Sequence, residues 1–130
     1  MVNVDKNQME TLPYIIAVDF DGTLVEDKFP DIGKKREKVW AAMEYARSKG
    51  AKIILWTSRD HHNLEAAVEY CRQQGFEFDA VNENLKECRE MFDNDTRKVF
   101  ANEYWEDKAI GIFCEWQRTK YSVIRSVFGE

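Results

Sequence analysis

The chain has 130 residues, enough for one domain with one core. It is 44% hydrophobic and 33% charged, which excludes an unfolded chain, and its net charge of −5 argues against non-specific binding to nucleic acid or to an anionic membrane. No apolar run reaches the length of a membrane span, and the start lacks the basic and apolar regions of a secretory signal. Residues 1–12 are polar and read as a flexible tail, leaving 13–130 as a single domain. Residues 14–20 are apolar but for Asp19 and rich in β-branched side chains, the pattern of a strand buried on both faces. Residues 22–33 read as a loop. Residues 35–48 carry Val39, Trp40, Met43 and Ala46 at helical spacing and stop at Gly50. Residues 52–57 form a second buried strand. Residues 63–74 form a second helix, with Leu64, Ala67, Val68 and Cys71 on one face and Gly75 as its end. A short third strand is expected over 76–81, a helix over 85–92, a fourth strand over 99–105 and a helical stripe over 112–128.

Strands alternating with helices predict a three-layer α/β/α sandwich, Rossmann-like, around a central parallel sheet. Ligands of such sheets bind at the carboxyl ends of the strands. Asp19 and Asp21 end the first strand, Thr57 and Ser58 end the second, and Glu106 and Asp107 follow the fourth. The predicted fold therefore gathers residues from distant parts of the chain on one edge. Four carboxylates on one edge repel each other unless a hard cation lies among them. Oxygen ligands, few in number, suit Mg²⁺, which also binds substrate phosphates. A carboxylate beside such a cation can attack phosphorus as a nucleophile. A second carboxylate can protonate the leaving oxygen and later activate water. A hydroxyl such as that of Thr57 can bond the phosphoryl group, and Lys98 is the candidate cation for its oxygens.

The order of these motifs resembles the haloacid dehalogenase superfamily of phosphotransferases. "DFDGT" is similar to the first motif of that family, "ILWTSR" to the second, Lys98 to the third and "EYWEDKA" to the fourth; together they span residues 15–109. The resemblance implies an aspartyl-phosphate mechanism with Asp19 as nucleophile and Asp21 as acid/base. Thr57 and Lys98 would hold the phosphoryl group. Gly22, Thr23, Ser58 and Arg59 would face the substrate, although Arg59 is equally placed to pair with a nearby acid. Mg²⁺ would be bound by Asp19, by the backbone carbonyl of Asp21 and by Glu106 or Asp107. The fourth motif departs from the usual two aspartates, since its first acid is Glu106, one methylene longer. Asn102 and Glu103 also make this strand unusually polar. More narrowly, "IILWTSRD", "NEN" and "RKVFAN" resemble a small uncharacterised branch of these hydrolases.

The expected activity is that of a phosphatase on a phosphorylated substrate; the alternative is a weak or inactive phosphate-binding module on the same fold. An EF-hand is excluded, because Gly22 is fourth from Asp19 rather than sixth and Pro30 stands where the twelfth-position glutamate belongs. A phospho-receiver domain is disfavoured, because neither "LWTSR" nor "FDAVN" supplies a phospho-accepting aspartate after the third strand. The loop after Asp21 has room for a flap only, so no cap domain is expected. An open site of that kind suits a large substrate or a homo-oligomer in which a second subunit acts as lid. Cys71, Cys88 and Cys114 form no zinc or disulfide pattern and read as reduced thiols of a cytoplasmic protein.

Overall fold

The computed structural model describes residues 4–108. The expected helical stripe over 112–128 and Cys114 lie outside them. Residues 5–9 are not bare coil: Asp5 caps the single turn α1 (Lys6–Met9) through a capping box with Gln8. The other elements follow as β1 (Ile15–Val18), α2 (Glu37–Ser48), β2 (Lys52–Leu55), α3 (His61–Gln73), β3 (Ala80–Val81), α4 (Lys86–Phe92) and β4 (Glu103–Trp105).

The strands form one sheet in the order β3-β2-β1-β4, and every pairing is parallel. Each β1 residue is buried, as a strand covered on both faces requires. Side chains alternate between two apolar layers. Ile16, Val18, Ile53 and Leu55 join Val39, Trp40, Met43 and Ala46 of α2 and Ala67 and Cys71 of α3. Ile15, Ala17 and Ile54 face the other way, against Leu85, Cys88 and Val99. The sheet is thus flanked on both faces, which gives the three layers expected. Trp40 anchors the larger layer. Its Nε1 donates to Leu24 O at 2.8 Å, and its ring meets Tyr70 and Phe76 edge-on at 6.3 Å. Losing such a ring typically costs about 3–5 kcal/mol.

Three elements are shorter than their apolar runs. Over 76–79, the Phe76 amide closes the end of α3 on Cys71 O, and the Asp79 carboxylate takes the Ile53 amide at 2.7 Å. Over 99–102, Asn84 Oδ1 takes the Phe100 amide at 2.6 Å, and Asn102 Oδ1 takes the Ile15 amide at 2.7 Å. Trp56 still donates to Val18 O, so the second ladder reaches one residue past β2. In the first two cases a side chain or helix end takes a backbone group that a longer strand would use.

The polarity of β4 has a local cause. Glu103 is buried, but its two carboxylate oxygens accept from Tyr14 Oη at 2.7 Å and Trp105 Nε1 at 2.8 Å. A buried acid with both oxygens bonded is tolerated.

Candidate functional site

The chain leaves β1 towards β2 on one side, while β4 pairs with β1 on the other. That reversal of strand order is the place where α/β sheets open a crevice at their carboxyl ends. Asp19 stands in it. Its amide donates to Trp105 O at 2.9 Å, so the residues following β1 and β4 emerge side by side. Burial, followed by the charges of Asp107, Glu106 and Asp21, pushes the Asp19 carboxyl from its ordinary 3.8 up to about 6, against the opposing bond from the Phe20 amide. The charges raising it are thus all carboxylates.

Asp107 lies directly on the backbone at Gly22. A Cβ built at Gly22 would stand 2.6 Å from Asp107 Cγ and 2.9 Å from Oδ1, and Gly22 has φ of 84°. Only glycine combines that backbone conformation with so close a neighbour. The turn over 20–25 supports this contact, since Phe20 O accepts from the amides of Thr23, Leu24 and Val25.

Asp21 is used differently. Arg59 Nε donates to its Oδ2 at 2.7 Å and Arg59 Nη2 to its Oδ1 at 2.8 Å. The same guanidinium reaches Pro30 O at 3.2 Å, Asn63 O at 3.3 Å and Asp31 O at 2.9 Å. A guanidinium carries five N–H donors, and these bonds use all of them. Phe20 and Phe29 flank it, with ring centroids 5.0 and 5.1 Å from Cζ. Of the two roles open to Arg59 in the sequence, pairing with an acid is the one the structure displays. Its side chain is 1% exposed, so it does not face a ligand in this arrangement.

The remaining candidates are spread around the edge. Thr57 accepts the Arg59 amide on Oγ1 at 3.1 Å and donates its own amide to Asn82 Oδ1 at 2.8 Å. Ser58 is exposed beside it. Thr23 is fully buried, and its Oγ1 has no hydrogen-bond partner among the described residues, so it supports the turn from within instead of lining a surface. Lys98 is exposed, with Nζ 4.9 Å from the Tyr104 ring centroid. The Tyr104 and Trp56 rings meet at a tilt, with centroids 5.5 Å apart, on the α4 side of the sheet, and Lys98 lies on that side. Neither Lys98 nor Arg59 is among the charges acting on Asp19.

Asn82 and Asn84 were not anticipated as individual residues. Asn82, at φ of 53°, fixes the Thr57 amide. Asn84 is buried; its amide group donates to Asp95 Oδ1 at 2.8 Å and accepts from Phe100, which fastens the segment carrying Lys98. The available signal was "NEN", two short polar side chains directly after the third strand.

The four acids named from the sequence share one edge, where three of them act on the fourth, Asp19. Among the described residues no group of three His, Cys, Asp or Glu side chains is arranged to hold a metal. Asp21 is drawn to Arg59 instead. Among the described residues, the donors left to a cation are Asp19 and the acids after β4, of which Asp107 lies close to Gly22. One or two carboxylates with backbone oxygen, water and substrate phosphate are a donor set that suits Mg²⁺. Among the described residues, Cys71 and Cys88 are buried free thiols, and burial pushes Cys71 up to about 12.

Fold and edge together define a parallel α/β protein with a group of acids at its topological switch point. A solved structure of a conserved protein from Bacteroides thetaiotaomicron has this fold, with a TM-score of 0.67 and 34% sequence identity over 78% of this chain and 82% of that one. The chain belongs to the family of that conserved protein. No family model matches the chain, and no curated protein does. No helix among the described residues is long and apolar enough to cross a membrane.

Proposed function

We propose that the chain is a phosphomonoester hydrolase of the haloacid dehalogenase type, dependent on Mg²⁺. The observation that carries this reading is the state of Asp19: a half-buried carboxyl at the sheet's switch point, pushed up to about 6 by burial and by the acids around it. Such a group is costly without a counter-charge, and functional sites are where such costs collect. The motif order from "DFDGT" to "EYWEDKA" supports the same reading.

Mg²⁺ held by Asp19, the Asp21 carbonyl and Asp107 or Glu106 would supply positive charge to the phosphate oxygens. Asp19 attacks phosphorus, the bond to the ester oxygen breaks, that oxygen leaves with its organic group, and an aspartyl-phosphate remains. Asp21 then accepts the proton of the water that hydrolyses this intermediate; Arg59 orients its carboxylate for that task while leaving lone pairs open. Donating a proton to the leaving oxygen, the other half of the acid/base role, requires the Asp21–Arg59 pair to loosen. Thr57 and Ser58 offer hydroxyls to the phosphoryl oxygens, and Lys98 swings from Tyr104 to oppose their charge. The inactive phosphate-binding module remains the second reading, favoured by the engagement of both Asp21 oxygens with Arg59.

Release of phosphate from nitrophenyl phosphate, with Mg²⁺ and with EDTA, tests the proposal. Turnover that needs Mg²⁺ supports it. Binding of phosphate without turnover favours the second reading, and neither binding nor turnover overturns both.

A further inference from the structure

The segment after Asp21 doubles back on itself. Val25 bridges both Asp21 and Lys35, and the Glu26 amide donates to Lys34 O at 2.9 Å. This flap is fastened on two sides of the crevice. Near β2, Arg59 holds the carbonyls of Pro30 and Asp31 with the same guanidinium that holds Asp21. Near β4, Lys108 Nζ stands 3.7 Å from Asp27 Oδ2, one residue after the Asp107 that lies on Gly22. Residues 27–31 therefore run between anchors beside Asp21 and beside Asp107.

Phe29 sits between those anchors. Its ring lies against the Arg59 guanidinium, yet the residue is 55% exposed. Tyr45, the other exposed large hydrophobic residue among those described, lies on α2 with Lys49 Nζ 5.6 Å from its ring centroid. An aromatic ring backed by a buried cation, fixed on a tied flap and open on its outer side, is a stacking surface. We propose that Phe29 is a specificity-determining residue that stacks on the group carrying the phosphate, and that the site takes phosphate esters of planar, aromatic groups. Arg59 is the positioning residue that holds Phe29 there. The inference rests on the phosphatase reading only for where the phosphate sits.

Calorimetric binding of phenylphosphonate and methylphosphonate, both non-hydrolysable, with Mg²⁺ present, tests this on the wild type, Phe29→Ala and Phe29→Leu. Phe29 is exposed enough for the variants to fold, and unchanged thermal midpoints check that. The wild type should prefer phenylphosphonate. Phe29→Ala should weaken phenylphosphonate by roughly five- to tenfold and leave methylphosphonate within about twofold, with Phe29→Leu between the two. Phenylphosphonate binding unchanged in Phe29→Ala, or both ligands weakened equally, overturns the inference and leaves the phosphatase reading standing. Binding of neither phosphonate to the wild type overturns both. A phenyl preference that falls with Phe29→Ala, in a protein that does not hydrolyse phenyl phosphate, supports the inference and contradicts only the hydrolase reading.

Discussion

Asp21 and Arg59 meet through two parallel hydrogen bonds, at 2.7 and 2.8 Å, in a place where the arginine side chain is 1% exposed. Two residues earlier, the charges acting on Asp19 among the described residues are those of acids. The two aspartates of one short motif are thus held in opposite electrostatic states, and substituting them should have opposite effects on stability. Asp21→Asn leaves the buried guanidinium without its counter-charge. Removing one partner of such a pair costs about 3–5 kcal/mol, so the midpoint of urea unfolding should fall clearly. An unchanged midpoint would show that the pair does not persist in solution.

Asp19→Asn should do the reverse in metal-free protein. The folded carboxyl is raised from its ordinary 3.8 to about 6, so the folded state holds the proton more tightly than the unfolded chain. The stability Asp19 contributes is therefore fully present below pH 3.8 and is lost as pH rises through about 6. At pH 7 in EDTA the variant should be the more stable, by at most about 3 kcal/mol and by less once solvent screening is counted. At pH 4 the two should nearly coincide. Wild type and variant with equal midpoints at pH 7 would contradict the raised carboxyl.

Mg²⁺ should reverse that order. A ligand that binds only the native state raises the unfolding midpoint. The wild type should gain from millimolar Mg²⁺, while Asp19→Asn combined with Asp107→Asn should not. Gly22→Ala should behave like the double variant, because the added methyl would occupy the space of the Asp107 carboxylate and the backbone there has φ of 84°. A Gly22→Ala protein with full Mg²⁺ stabilisation would show that Asp107 is not a donor.

Lys98→Ala separates the proposed role of Lys98 from a structural one. The side chain is exposed, with its ammonium over Tyr104, so its loss should change stability by less than about 1 kcal/mol. If it opposes the phosphoryl charge during the reaction, turnover should fall on the order of 10²- to 10³-fold. Turnover within a few-fold of wild type would pass the role to Arg97 or Lys86.

The parts of the fold legible in the sequence are those written in apolar periodicity. The apolar run that meets Asp19 announced a central strand covered on both faces, and the stripes around Trp40 and Ala67 announced the helices that cover one of them. Strand ends were less legible, because Asn84, Asn102 and Asp79 reach across the chain to take amides that an apolar run assigns to the ladder. At the site, spacing placed Asp19 and Asp107 on one edge. It could not say which acid Arg59 would choose, since Asp21 is 38 positions away in the chain and the choice is made by three flap and helix carbonyls that converge there.

The central claim is that Asp19 itself carries the phosphoryl group, and chemical trapping tests it most directly. Borohydride reduces an aspartyl-phosphate to homoserine. Protein quenched during turnover of nitrophenyl phosphate with Mg²⁺, then reduced and sequenced by mass spectrometry, should carry homoserine at position 19 and none in the Asp19→Asn variant. Steady phosphate release with aspartate intact at position 19, or with homoserine at another position, would contradict the account.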